Sequence, residues 1–73
     1  MPIVLNCLTD NKDNIKYLSE IFRDMDGGPC KVVCSSSVFQ YTLPIKIQYS
    51  TEIEKKLQDR NIPYYLDIDY FGY

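Results

Sequence analysis

Histidine, tryptophan and alanine are absent from this 73-residue chain, and no apolar run approaches the length of a membrane-spanning helix. Histidine is the commonest general base and the commonest metal ligand, so hydrolytic triads and most zinc sites lack their usual components. Basic residues are also few, with eight Lys and Arg against ten Asp and Glu. We therefore expect no membrane association and no direct contact with nucleic acid, because a phosphate-binding surface needs clustered positive charge.

The length of the chain predicts one domain spanning residues 1–73. Its first residues lack the basic and then apolar segment of a secretory signal, which favours a cytoplasmic protein. Residues with AT-rich codons (Ile, Asn, Lys, Tyr, Phe, Met) number 30, against nine for Gly, Ala, Arg and Pro. This bias indicates an AT-rich genome, such as that of a low-GC bacterium, a phage or a virus.

Hydrophobic periodicity predicts six elements. They are a strand at 2–8, a helix at 10–25, a short strand at 30–34, a long strand at 39–49, a helix at 52–60 and a strand at 64–71. In the long strand every odd position is apolar, which predicts one core face and one solvated face. Pro44 cannot donate a ladder hydrogen bond, so we expect a bulge or a restart there.

Capping and turn residues mark the ends of both helices. Thr9 and Asp10 are suitable N-caps for the first helix, and 26–29, Asp-Gly-Gly-Pro, predicts the turn that ends it. Ser50 and Thr51 precede the second helix, and the spacing from Thr51 to Glu54 matches a capping box. Asn61 and Pro63 predict its end in a left-handed cap.

The resulting order, βαββαβ, predicts an α+β ferredoxin-like fold. In that fold a four-stranded antiparallel sheet carries both helices on one face. The short strand at 30–34 would then lie at an exposed edge of the sheet.

The three cysteines are expected to be free and buried. A cytosolic chain keeps its thiols reduced. Cys30 and Cys34 would lie about 13 Å apart along a strand, too far for a disulfide or a shared metal. Cys7 belongs to another strand. The sequence therefore predicts neither a resident metal nor a cofactor.

Asp67 and Asp69 project from the same side of the last strand, about 6.6 Å apart. Such a carboxylate pair can hold Mg²⁺, so a metal-dependent nuclease is one alternative function. The pair has no phosphate-binding loop and no basic companion nearby in sequence. A solvated sheet face explains it at least as well.

Tyrosine is the most informative residue type, with seven copies, four of them in the last ten residues. On the last strand Tyr65 and Phe71 alternate away from the core and stand beside the two aspartates. Aromatic residues among acids are typical of an interface anchor. The alternative is that the chain end folds over this face. The candidate partner-binding residues are Tyr65, Asp67, Asp69, Phe71 and Tyr73 on the last strand, and Glu20 and Asp24 on the first helix.

These features favour a non-enzymatic protein-interaction module. Acidic net charge at both ends of the chain suits a basic groove on a protein partner, including a host protein that binds nucleic acid. Size and composition lead us to expect a phage or viral inhibitor of a host defence protein, similar in action to anti-CRISPR proteins. Self-association as a homodimer stays open. The main alternative is a dimeric regulatory domain that binds a small molecule, an expectation by analogy with the fold.

Overall fold

The computed structural model describes residues 3–68 and contains the six elements in the predicted order. They are β1 (Ile3–Leu8), α1 (Lys12–Arg23), β2 (Asp26–Ser36), β3 (Phe39–Ile47), α2 (Thr51–Asp59) and β4 (Tyr64–Ile68). Within this range no helix is both long enough and apolar enough to cross a bilayer.

The four strands form one mixed sheet in the order β3-β2-β1-β4. β1 and β2 are parallel, whereas β2–β3 and β1–β4 are antiparallel. The prediction of an antiparallel, ferredoxin-like sheet is therefore wrong. In that arrangement another strand separates β1 from β2. Here β2 lies directly against β1, and β3 and β4 form the two edges.

The composition of β2 and β3 explains this order. Val32 and Val33 point to opposite faces of β2, yet they are only 0% and 5% exposed. A strand that is apolar on both faces is stabilised in the interior of a sheet. β3 instead alternates apolar and exposed polar residues and contains Pro44, which a sheet tolerates at its edge. The strand at 30–34, predicted as an edge, is thus central.

Two irregularities interrupt the β2–β3 ladder. Lys31 pairs with Lys46 and Val33 pairs with Thr42, so the segment of β3 around Pro44 bulges, as expected. The second irregularity lies at 26–29, which was predicted as a turn but belongs to β2.

Asp26 and Cys30 both pair with Ile47, so the three residues between them bulge out of the strand. The Asp26 carboxylate holds this bulge, because its Oδ1 accepts hydrogen bonds from the amides of Gly27 at 2.9 Å and Lys46 at 3.2 Å. The bulge brings the β2 and β3 backbones into close contact at Ile47.

The N-terminus of α1 lies two residues later than expected. Asn11 is the N-cap, and its side chain accepts a 2.8 Å hydrogen bond from the Asp13 amide. Thr9, which is 9% exposed, stabilises this cap through its side chain. Its hydroxyl oxygen accepts hydrogen bonds from the Asn11 amide and from Asn14 Nδ2, both at 3.2 Å. Thr9 therefore stabilises the start of α1, but from a position two residues before the N-cap.

α2 begins after Ser50 without a side-chain capping hydrogen bond, so the predicted capping box is wrong. Glu54, its expected acidic member, is engaged elsewhere. Glu54 Oε1 accepts a 2.6 Å hydrogen bond from the Tyr49 hydroxyl. At the other end, Asn61 adopts the predicted left-handed conformation, with φ of 55°.

Both helices cover the same face of the sheet, because their buried residues share one cluster with inward side chains from β1, β2 and β3. The cluster comprises Leu5, Cys7, Leu18, Phe22, Cys30, Val32, Cys34, Leu43, Ile47, Ile53, Leu57 and Ile62. The helices do not cover the far end of the edge strand β3. Phe39 and Tyr41, expected in the core, are 38% and 43% exposed because they lie beyond this cluster at the far end of the edge strand.

Candidate interaction surface on the open face of the sheet

The second face of the sheet is not covered by either helix, since the buried residues of both pack on the opposite side. We call this surface the open face. By strand alternation its side chains are Val4, Asn6 and Leu8 of β1, Lys31, Val33 and Ser35 of β2, Gln40, Thr42 and Lys46 of β3, and Tyr65 and Asp67 of β4.

The strand register arranges charged residues in one row across this face. Lys46 of β3 lies opposite Lys31 of β2, which lies opposite Val4 of β1. Val4 in turn lies opposite Asp67 of β4. The β2–β3 half of the open face is therefore basic, and the β4 edge is acidic.

Tyr65 and Asp67 lie side by side on the open face, as their alternation predicts. The Tyr65 side chain is 49% exposed. Asp67 is exposed, and its Oδ1 accepts a 2.8 Å hydrogen bond from the amide of Ile68. A half-exposed aromatic ring beside a carboxylate offers both apolar contact area and a charge to a partner.

Three of the predicted surface residues, Asp69, Phe71 and Tyr73, lie outside the described residues. The carboxylate pair of Asp67 and Asp69 therefore stays a prediction. Among residues 3–68, no three His, Cys, Asp or Glu side chains group closely enough to hold a metal ion.

Glu20 and Asp24 are exposed, but they belong to the helical layer on the other side of the sheet. α1 turns Leu18 and Phe22 towards the sheet, so its polar residues point away from it. The four predicted partner-binding residues that the structure describes therefore do not form one patch. Sequence periodicity identified each exposed face but could not place the two faces relative to each other.

Two concavities flank the bulged edge strand, and sequence reasoning missed both. One, of about 410 Å³, lies beside the two bulges and includes Lys31 and Lys46. The other, of about 290 Å³, lies between α1 and β3 and includes Arg23 and Tyr41. Pro44 borders both concavities. The break in the strand that this proline predicts was therefore the one sequence signal that could have indicated them.

The cysteines are all free and have no exposed surface. A side-chain hydrogen bond to Cys34, together with burial, raises the pKa of Cys7 well above its ordinary value. The same hydrogen bond lowers the pKa of Cys34, whereas burial raises that of Cys30. Because helices cover these thiols, they contribute to the core and not to the open face.

No protein-family model, curated protein sequence or solved structure matches this chain. The function of the open face is therefore inferred from its own residues. The open face combines an aromatic ring, opposed charges and a small apolar centre at Val4 and Val33.

Proposed function

We propose that this chain is a non-enzymatic protein-binding module that acts by covering a surface of a partner protein. The observation that carries the proposal is the half-exposed Tyr65 beside the exposed Asp67 on a sheet face that neither helix covers. Tyrosine supplies a large contact area at low cost in conformational entropy and is frequent among residues that dominate binding energy.

The placement of the reactive side chains supports binding over catalysis. The three thiols are in the core, where helices separate them from any substrate. The carboxylate of Asp67 accepts a hydrogen bond from the backbone amide of Ile68 in its own strand. A catalytic site needs a nucleophile or a base within reach of a substrate pocket.

The partner in this proposal presents a basic patch to Tyr65 and Asp67, because these residues form the acidic β4 edge of the open face and the chain has a net charge of −2. A host protein with a groove for nucleic acid has this chemistry. In its most specific form, the proposal assigns the chain to the phage or viral inhibitors of host defence proteins, anti-CRISPR proteins among them. The AT-rich residue composition supports this form.

The test is affinity purification of the tagged chain from its natural host, followed by identification of the bound protein and measurement of its affinity. Tyr65→Ala should weaken binding by at least about tenfold, as expected for a central aromatic anchor. Tyr41→Ala is the matched control, since Tyr41 is similarly exposed but lies on the helical side of the sheet. It should bind as the wild type does.

Asp67→Asn provides the electrostatic arm of the experiment. It should slow association and reduce the dependence of the association rate on salt, because a charge at an interface rim acts mainly on the encounter rate. Equal losses in the Tyr65 and Tyr41 variants would remove the open face as the binding surface. A catalysed reaction of the purified chain would replace the proposal altogether.

A further inference from the structure

β4 is an edge strand whose outer row of backbone groups can be identified from its pairing with β1. The Leu8 amide donates a 2.8 Å hydrogen bond to the Pro63 carbonyl, and these residues are opposite each other by continuation of the register. Hydrogen-bonded pairs alternate along an antiparallel ladder. The next such pairs are therefore Asn6 with Tyr65 and Val4 with Asp67.

The backbone groups of Tyr64, Leu66 and Ile68 consequently point away from β1, towards the outside of the sheet. The amide of Ile68 confirms this direction, because it donates to the Asp67 side chain and not to β1. Leu66 and Ile68 are also 44% and 39% exposed. β4 thus presents outward hydrogen-bonding groups together with apolar side chains, a combination that favours the addition of a further strand.

The opposite edge of the sheet is protected in a way that β4 is not. β3 contains Pro44, which has no amide hydrogen, and bulges at this residue. Proline and bulges at an edge prevent regular pairing with another strand. β4 contains neither feature within Tyr64–Ile68.

We propose that β4 pairs with β4 of a second copy of this chain, antiparallel and with Leu66 on the two-fold axis. Antiparallel pairing of one strand with itself is the symmetric contact that a two-fold dimer requires. Leu66 then lies opposite Leu66 of the second copy, and Tyr64 lies opposite its Ile68. Tyr64, Leu66 and Ile68 all have outward backbone groups, so every intermolecular donor meets an acceptor.

The side chains fit this register as well as the backbone does. On the helical side Tyr64, Leu66 and Ile68 meet apolar residues of the second copy, which buries surface that the monomer leaves exposed. On the open face Tyr65 lies opposite Asp67 of the second copy. No two carboxylates are directly opposed, whereas a register centred on Asp67 would oppose them.

One existing contact is exchanged when the dimer forms. The Ile68 amide leaves Asp67 and donates to the Tyr64 carbonyl of the second copy. The pairing of five-residue strands makes a small interface, so the dimer is concentration-dependent. The open faces of both copies remain accessible in the joined eight-stranded sheet, so the inference stands whether or not the proposed partner binding holds.

The first experiment measures the molar mass of the purified full-length chain by sedimentation over a wide range of concentration. Amide hydrogen exchange is then followed by NMR at the lowest and highest concentrations. The outward amides of Tyr64 and Leu66 should exchange at least about tenfold more slowly at high concentration. The amides of Tyr65 and Asp67, already bonded to β1, should change much less.

Leu66→Lys places two like charges together on the two-fold axis and should leave the chain monomeric at every concentration. Val38→Lys is the matched control. Val38 is 87% exposed and lies in the turn between β2 and β3, far from β4, so this variant should dimerise as the wild type does.

A monomer at all concentrations, with outward amides that exchange equally fast throughout, would overturn the inference. A dimer that survives Leu66→Lys would also overturn it, since another surface would hold the copies together. Capture of a different protein that is lost in Leu66→Lys, with the chain itself monomeric, would assign the β4 edge to that protein instead. Self-association is measured on the purified chain alone, so its result is independent of the partner-binding test with Tyr65→Ala.

Discussion

Cys7 and Cys34 lie directly opposite each other on the parallel strands β1 and β2, and neither has any exposed surface. Their sequence separation gave no indication of this contact, because parallel pairing across α1 decides it. The thiols are hydrogen-bonded to each other, which favours ionisation of Cys34 and opposes that of Cys7. Burial nevertheless keeps both away from reagents in solution.

We therefore expect all three cysteines to resist alkylation in the folded chain. Cys34 should react with iodoacetamide at least about 100-fold more slowly than in the unfolded chain, because labelling requires opening of the core. Mass spectrometry of timed samples, with and without urea, measures this ratio. Labelling of Cys34 at the unfolded rate would show that its lowered pKa, and not its burial, controls reactivity.

Stability should decrease at high pH because folding raises the pKa values of Cys7, Cys30 and Tyr49. A raised pKa means that the unfolded chain loses its proton first, so the stabilisation is complete below the unfolded value and lost above it. The ordinary values are 9.0 for the thiols and 10.0 for the tyrosine. The pKa of Cys34 is lowered instead, so its contribution to stability rises as the pH approaches the ordinary value and is constant above it.

The free energy of unfolding, measured in urea, should therefore fall from about pH 9 upward, with a slope of up to about 1.4 kcal/mol per pH unit for each proton retained. Tyr49→Phe should remove the part above about pH 10, because burial and the hydrogen bond to Glu54 raise the pKa of Tyr49. Tyr41→Phe, at an exposed position, is the control. A free energy independent of pH from 7 to about 11 would contradict the prediction.

Gly28 should tolerate no side chain. A Cβ at this position would overlap the backbone of Ile47 and Gln48, so Gly28→Ala must separate β2 from β3 at the bulge. We expect a loss of about 3 kcal/mol or more, with the cause in backbone displacement. Gly27→Ala is the comparison, since it has open space but a φ of 114°, and should cost about 1–3 kcal/mol. Equal thermal unfolding of Gly28→Ala and wild type would refute the close approach.

Thr9→Val should destabilise the chain by about 1–2 kcal/mol, because it removes the acceptor for Asn11 and Asn14 at the start of α1. Thr42→Val makes the same chemical change at an exposed site on β3 and should alter stability by less than about 0.5 kcal/mol. Urea unfolding of both variants measures the difference. A Thr9 variant as stable as the Thr42 variant would show that Asn11 caps the helix without support.

The elements were predictable because each depends on residues close in sequence. Apolar spacing of three and four identified α1, alternation identified the strands, and Pro44 indicated the bulge in β3. The predicted N-termini of the helices were less accurate, because more than one residue or contact could serve as the cap. Thr9 and Asn11 are both suitable caps, and Glu54 can bond either to the start of α2 or to Tyr49. The choice depends on tertiary contacts that local patterns do not contain.

The candidate site was predictable only in part. Alternation placed Tyr65 and Asp67 together on the face away from the core, and the structure has them there. It could not show that Glu20 and Asp24 occupy the opposite layer, because the position of a helix relative to a sheet depends on its connections. The sequence also could not predict which backbone groups of β4 point outward. Their direction depends on which residue pairs of β1 and β4 are hydrogen-bonded to each other.

The sequence alone determined the order of helices and strands, the burial of the cysteines, the acidic net charge at both ends of the chain and the excess of tyrosine towards its C-terminus. Only the tertiary structure decided the order of strands in the sheet, because hairpin and crossover connections are compatible with more than one arrangement. The burial of Val32 and Val33 on both faces is stabilised when β2 is central, and Pro44 is tolerated when β3 is at the edge. That choice leaves β4 as the unprotected edge and the face around Tyr65 as the open one.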